Sequence, residues 1–529
     1  MSPLEILTVG GVLVVALLLG RLLARGARVP DAAAYVLIGV AAGLLPWLPH
    51  VRLSPDLVLL VLLPPLVWYA AFFSDPRETV SHIGPIVGQS VGLVLVTAGV
   101  AASCLMAVFP QVGWAAALAF GAAVAPPDPV AATSVLDRLG VPSRLITVLE
   151  GEGLVNDGAA LTLFGIAVLS IDNTPSPAGL AFRVAVEIGG GLLFGLVVGI
   201  VVTWIRARIR DVPSQVVLSL ATPYLAFVPT QLAHASGVLA TVVAAVWQGT
   251  RGRGLVAPTA RLQTETFWRV LNTLLVAALF VLLGLQVPTI VSTVRAYSTG
   301  ALVTVALAVV LGLVATRLVW ALLVAPVLAR LPPGNSDPTA RMPRSERVAL
   351  GWCGPRGAVS LAVALSLPLA LPDGSPFSWR PLLLFLTIVV VLVTLVGQVL
   401  TLPALLRRLK LSPNEHERLE SLHARRAATD AALRQLDDAE EHGFDREQVE
   451  ALRQTYELRR DRLIEELDQE PSERHRPQLG ERELQLDIVQ AQREALRRLR
   501  SRREISGRTL VQLSQELDLD ETRLRGPGG

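Results

Sequence analysis

Apolar residues in the first four hundred positions come in long unbroken runs. They show neither the 3.6-residue stripe of a surface helix nor the alternation of a half-buried strand. A helix needs about 20 such residues to cross a bilayer. Thirteen stretches meet that need, at 4–24, 31–49, 54–73, 83–109, 112–137, 145–170, 178–205, 213–231, 235–250, 265–286, 299–329, 347–371 and 380–406. The first begins with Glu5 and has its basic residues behind it, so it reads as a span and not as a signal peptide.

Two of the runs are interrupted. In the fifth, Pro126, Pro127 and Pro129 bracket Asp128. Proline lacks the helical donor and clashes with the preceding turn, so the helix must break there. In the twelfth, Gly351, Gly354, Pro355 and Gly357 surround Arg356. Freed backbone at that depth is tolerated only where protein or a water-lined cavity satisfies it. The breaks are seven runs apart, which suits an inverted repeat in which spans 1–6 answer spans 8–13. Paired broken segments of this kind point to a transporter's binding site.

Charge supports the count. With the N-terminus outside, the inner loops hold 19 basic residues and the outer loops hold four, Arg52, Arg183, Arg295 and Arg380. An odd number of spans leaves the C-terminal tail in the cytoplasm. The tail is of another kind: the last 119 of the 529 residues carry 48 of the 91 charges. Charged residues are 17% of the chain, against about 25% in a soluble protein. The expected organisation is an all-α polytopic membrane domain over 1–410 and a charged helical tail over 411–529. In the tail, residues 424–467 and 484–503 have helical spacing, with ion pairs four residues apart. Cys104 and Cys353 support neither a disulfide framework nor a zinc site. No basic patch is interleaved with aromatics, so nucleic acid is not an expected partner. No cofactor is expected.

Ionisable residues deep in a membrane are costly and mark function. The candidates are Asp128, Glu150, Glu152 and Asp157. On a helix Glu152 and Asn156 share one face, Gly153 and Asp157 the neighbouring one, and Glu150 lies on that side a turn or more away. Asp157 falls near mid-membrane. A carboxylate there can be neutralised by a proton or by a cation, and competition between the two is the minimal chemistry of an antiporter. Asp128 sits between half-helix ends, where it can cap the second half, with direct ligation as the other reading. Freed carbonyls at Ala125 and Pro126 could complement a cation. Arg356 stays charged and needs an acidic partner, either Glu152 or Glu150. Arg317 reads as a residue snorkelling to the cytoplasmic surface.

The motifs together resemble the monovalent cation:proton antiporter family of bacterial sodium/proton antiporters and eukaryotic sodium/proton exchangers. The carriers are Leu63-Pro64-Pro65-Leu66, Asp128-Pro129-Val130-Ala131 with Arg138-Leu139-Gly140-Val141-Pro142, the run from Glu150-Gly151-Glu152 to Asn156-Asp157, and Gly354-Pro355-Arg356-Gly357-Ala358-Val359. The resemblance implies a homodimer with crossed broken helices in a moving core. It implies Asp157 as the ion- and proton-binding carboxylate, Asn156 as its support, and a Glu152–Arg356 ion pair. An Asn-Asp pair implies electroneutral one-for-one exchange. Gly153, Pro127 and the Trp68-Tyr69 pair stand where family members often have Ser, Thr and an acid.

The expected activity is exchange of Na+ for H+ in a bacterial plasma membrane, serving pH and sodium homeostasis, with K+ or Li+ as other cations and a K+/H+ antiporter as the alternative. A membrane enzyme is disfavoured, because the chain lacks a His-Glu-x-x-His site and a Gly-x-Gly-Asp dyad. A membrane sensor signalling through the tail is the remaining class, and it needs no carboxylate at a helix break.

Overall fold

Backbone in hydrocarbon has no water to bond to, so an apolar stretch long enough to span is driven to close its hydrogen bonds as helix. The computed structural model of the chain describes residues 3–27, 30–45, 58–73, 83–128, 141–171, 177–209, 211–252, 256–328, 342–371, 374–411, 415–441 and 445–468, with scattered positions elsewhere. All thirteen apolar stretches carry helix in their described parts. The helices are α1 (Pro3–Ala27), α2 (Asp31–Gly43), α3 (Leu63–Phe73), α4 (Ile83–Val108), α5 (Trp114–Val124), α6 (Ser143–Leu169) and α7 (Pro177–Arg206). They continue with α8 (Val212–Leu232), α9 (Gly237–Trp247), α10 (Pro258–Val294), α11 (Thr299–Val319), α12 (Arg344–Trp352), α13 (Ala358–Leu365) and α14 (Arg380–Leu409). Among the described residues the only β feature is a single bridge between Ala370 and Pro376.

Among the described residues seven helices are long and apolar enough to cross a membrane by themselves, and four shorter apolar helices accompany them. Large apolar side chains such as Leu18, Leu22, Phe182, Leu193 and Leu307 are exposed along them, which suits lipid and not water. One stretch differs from the sequence expectation. The tenth is longer than 265–286: α10 has 37 residues, about 55 Å, because the polar start from Pro258 and the segment through Pro288 to Val294 continue the same helix. The twelfth is two helices, as its interruption predicts, with Cys353–Gly357 running between α12 and α13 without helical structure.

Hydroxyl and carboxylate caps fix several helix starts. Asp211 accepts from the Ser214 N–H at 2.9 Å, Ser236 from the Leu239 N–H at 3.2 Å and Ser298 from the Ala301 N–H at 3.1 Å. Glycines set how closely helices approach. Gly39 of α2 and Gly284 of α10 meet backbone to backbone, and a Cβ on either would run into the other helix. Gly191 and Gly195 on α7 do the same against Ser236 and Ala240 at the start of α9, and Gly199, four residues on, lies against the Trp247 side chain. Where lipid surrounds the helices, close contact of small residues replaces the hydrophobic drive.

Chain contacts separate a unit of residues 1–413 from one of 414–529. In the second, α15 (Glu415–Glu441) and α16 (Arg446–Asp468) pack side by side over Leu422, Leu433, Val449 and Leu463, with Arg453 bonded to Asp437 at 2.6 Å. In the first, α6 packs on α4, α5, α12 and α13, and α13 packs on α5 and α14. That cluster holds the two breaks and the acidic run.

Gly284→Val should separate α2 from α10 and destabilise the protein by about 1–3 kcal/mol, as over-packing does. Gly10→Val, where nothing lies within 4 Å of an added Cβ, should change stability much less. Thermal unfolding of the purified protein checks the pair.

Candidate ion site

The two breaks cross. α5 ends at Val124, and Ala125–Asp128 leave the helix; the proline run supplies the reason. The Asp128 N–H donates to the Pro355 carbonyl in the other break, at 2.7 Å. The Ser360 hydroxyl on α13 donates to the Pro126 carbonyl at 3.5 Å. The Arg356 N–H donates to Thr394 Oγ1 on α14 at 3.1 Å. Each break thus satisfies part of the other, and a hydroxyl from a third helix serves the remainder.

Gly357 lies where the Asp128 carboxylate passes, and any Cβ there would overlap that carboxylate. Asp128 therefore stands at the N-terminus of α13, where the helix dipole favours negative charge. From sequence it caps the second half of its own broken helix. The start of that second half lies outside the described residues, and the crossing at Pro355 brings Asp128 to the start of α13. Residues 129–131 and 133–135 lie outside the described residues. Of the carbonyls expected to be free for a cation, that of Pro126 is already bonded to Ser360.

One turn of α6 carries Asn156 and Asp157. Asn156 is fully buried, and neither its Nδ2 nor its Oδ1 has a partner among the described residues. Leaving such a group unsatisfied costs about 1–3 kcal/mol, so the amide needs a ligand. The Asp157 side chain is nearly buried, and its charge and that of Asp128 act on one another. Two carboxylates and an amide oxygen are hard ligands of the type that hold alkali or alkaline-earth cations.

The ion pair of the acidic run is not the expected one. Glu152 Oε2 accepts from Arg317 Nη2 at 3.0 Å, and both side chains are largely buried, at 14% and 5% exposure. Arg317 Nε donates to the Leu350 carbonyl at 3.3 Å, at the end of α12, and its chain lies across Gly354. Arg317 thus links α11, the second break and α6, and is not a snorkelling residue. Arg356 is equally buried, but its guanidinium turns back to the Gly354 carbonyl at 3.1 Å and meets no carboxylate among the described residues. The reason is position along the broken segment. Arg317 faces the last turn of α12, level with Glu152, whereas Arg356 lies within the break, beyond the end of α12. The Glu150 side chain lies outside the described ones.

Arg317 had a signal in the sequence, since it is the only charged residue between Arg295 and Arg330. Thr394 and Ser360 had none, because hydroxyls in apolar helices usually bond their own preceding turn. Thr394 does that too, donating to the Val390 carbonyl at 2.8 Å.

Arg317→Ala should leave Glu152 buried and unpaired and destabilise the protein by about 3–5 kcal/mol. Adding Glu152→Gln should recover part of the loss in the Arg317→Ala background and none in an Arg356→Ala background. Thermal unfolding of the two double variants tests the pairing, and equal recovery in both would contradict it.

The family described as the transmembrane sodium/hydrogen exchanger matches residues 13–408. An uncharacterized Na+/H+ exchanger of Mycobacterium tuberculosis is 33% identical over 97% of this chain and 95% of its own length. A sodium, potassium, lithium and rubidium/H+ antiporter of Bacillus pumilus is 30% identical over 70% of this chain and 56% of its own. The solved sodium proton antiporter MjNhaP1 of Methanocaldococcus jannaschii shares the fold, with a TM-score of 0.60 and 18% identity over 77% of this chain and 99% of that one. A match over most of the apolar domain, with the breaks crossed and the Asn-Asp pair buried beside them, decides the class: the chain is a multi-pass membrane transporter, not an enzyme, and belongs to the sodium/hydrogen exchanger family of monovalent cation:proton antiporters.

Proposed function

We propose that the protein exchanges Na+ for H+ one for one, with Asp157 carrying the proton or the cation in alternation. The observation that supports this most is the buried Asn156-Asp157 pair, its amide without a partner among the described residues and its carboxylate near Asp128 at the crossing. Asp157 binds the ion, Asn156 Oδ1 adds a neutral ligand, and Asp128 sets the local field from the N-terminus of α13. The Glu152–Arg317 pair holds α6 against the second break, in the place proposed from sequence for Arg356. One carboxylate alternating between two monovalent ions moves no net charge.

In this reading all thirteen apolar segments cross a bacterial plasma membrane as an inverted repeat, with the N-terminus outside and the 411–529 tail in the cytoplasm. The working unit is a homodimer, and the exchange serves pH and sodium homeostasis. A second reading keeps the cycle and changes the ion to K+. It is favoured by the name of the Bacillus pumilus relative, which covers four alkali cations. Gly153, Pro127 and Tyr69 bring no acid and no Ser or Thr hydroxyl where family members often have them.

In proteoliposomes, Asp157→Asn should abolish cation-driven proton flux while the protein stays folded; sustained flux above a tenth of wild type would reject Asp157 as the carrier. Sodium, potassium and lithium added separately identify the cation. The rate should not change when a membrane potential is imposed with valinomycin, in the absence of potassium as the tested cation. A voltage-dependent rate would bring a second carried charge into the cycle, Asp128 first.

Competition also sets the pH profile. At low pH the proton holds Asp157, and at high pH the cation does, so the rate falls on both sides. Raising cation concentration should move the acidic limb to lower pH. An acidic limb that stays in place would assign pH control to another group.

A further inference from the structure

Between Glu187 and Glu265 the chain carries six arginines and a single acid, Asp211. Asp211 is engaged in capping α8, where hydrogen bonds from the Ser214 side chain and from its N–H hold the carboxyl below the usual range. Arg206, Arg208 and Arg251 lie where α7 and α9 end and α8 begins, and none of them pairs with a carboxylate among the described residues.

The centre of this region is Arg206, the last residue of α7, only 3% exposed. Its Nε donates to Gln215 Oε1 at 3.1 Å and its Nη1 to Gln248 Oε1 at 3.0 Å. Gln215 in turn donates to the Arg206 and Ile209 carbonyls, at 2.9 and 2.8 Å, which fixes the turn between α7 and α8. No carboxylate lies within ion-pair reach of Arg206 among the described residues. Its guanidinium also lies over the Phe72 ring, 6.0 Å from the centroid, and a buried cation held only by neutral oxygens and a ring face is short of negative charge. Two donors also remain unused within the same network. Arg206 Nη2 makes no hydrogen bond to a described residue, and Gln248 Nε2 is buried without an acceptor among them. Gln248 opens a π turn, Gln248–Gly252, a feature frequent at functional sites.

The rim continues the pattern. Arg208 stacks on the exposed Trp204 ring at 3.5 Å, and Arg251 lies over Trp247 at 5.4 Å. Tryptophan and arginine at the ends of apolar helices mark the depth of lipid headgroups. Leu193, Val197 and Val201 lead up to Trp204 along one exposed side of α7.

We propose that this corner binds the phosphate of an anionic lipid. Arg206 Nη2 and Gln248 Nε2 donate to the phosphate oxygens, Arg208 and Arg251 flank the headgroup, and the acyl chains lie along Leu193, Val197 and Val201. Phosphate chemistry alone would also fit a free anion. The apolar stripe running up to the site favours a lipid, and basic pockets between membrane helices are a known headgroup chemistry. The site uses none of the ion-binding residues, so it stands or falls separately from the antiport cycle.

The test uses the full chain in detergent, titrated with phosphatidylglycerol, phosphatidylcholine or inorganic phosphate, with bound lipid read by native mass spectrometry and stability by thermal unfolding. Phosphatidylglycerol should bind roughly tenfold tighter than phosphatidylcholine and raise the unfolding temperature. Arg206→Gln should abolish the preference. The Arg208→Ala/Arg251→Ala variant, which leaves the buried network intact, should weaken it, so the test survives if Arg206→Gln fails to fold. Asp157→Asn should keep the preference in full. The proposal is overturned if wild type does not distinguish the two lipids or if the rim variant keeps the full preference. Inorganic phosphate reproducing the whole effect would overturn it as well, assigning the site to a free anion.

Discussion

Interrupted backbone inside a membrane must find its hydrogen bonds in the protein, and this molecule finds them by crossing its two interruptions. The Asp128 N–H goes to the Pro355 carbonyl, the Pro126 carbonyl accepts from Ser360, and the Arg356 N–H goes to Thr394. Their mutual satisfaction brings irregular chain, a helix N-terminus and carboxylates together. That is also where α6 passes with Asn156 and Asp157. The site is thus a consequence of how the backbone is repaired.

Charge follows the same geometry. Asp128 is tolerated because the start of α13 faces it, and Gly357 is required because that approach leaves no room for a side chain. Glu152 is tolerated because Arg317 reaches it from α11 while also serving the Leu350 carbonyl. Asp157 has no such fixed partner among the described residues, as the carrier role proposed for it requires. A carboxylate locked to arginine has little reason to release a proton or a cation. A carboxylate left to choose between them can cycle.

The remainder of the membrane unit solves a packing problem with little hydrophobic drive between helices. Glycine contacts bring α2 to α10 and α7 to α9 at backbone distance. At the far end of α7 the solution is polar, with Arg206 and two glutamines joining three helices. That corner has surplus positive charge where the ion site has surplus negative charge.

The sequence by itself determined which stretches become helix, because unbroken apolar runs leave the backbone no other way to bond. It determined where two of them break, because Pro126, Pro127 and Pro129 remove donors and Gly351, Gly354 and Gly357 weaken the twelfth stretch. It also singled out Asn156-Asp157, since a carboxylate deep in an apolar run is too costly to be incidental. Only the tertiary structure decided who meets whom. Glu152 takes Arg317 and not Arg356, a choice made by the level at which α11 faces the last turn of α12, and side-chain spacing along one helix carries no information on the depth of another. Asp128 comes to the start of α13 because the crossing puts Pro355 beside it. Thr394 and Ser360 gained their roles from that crossing alone: a hydroxyl in an apolar helix looks the same in sequence whether it closes its own turn or completes another helix's break.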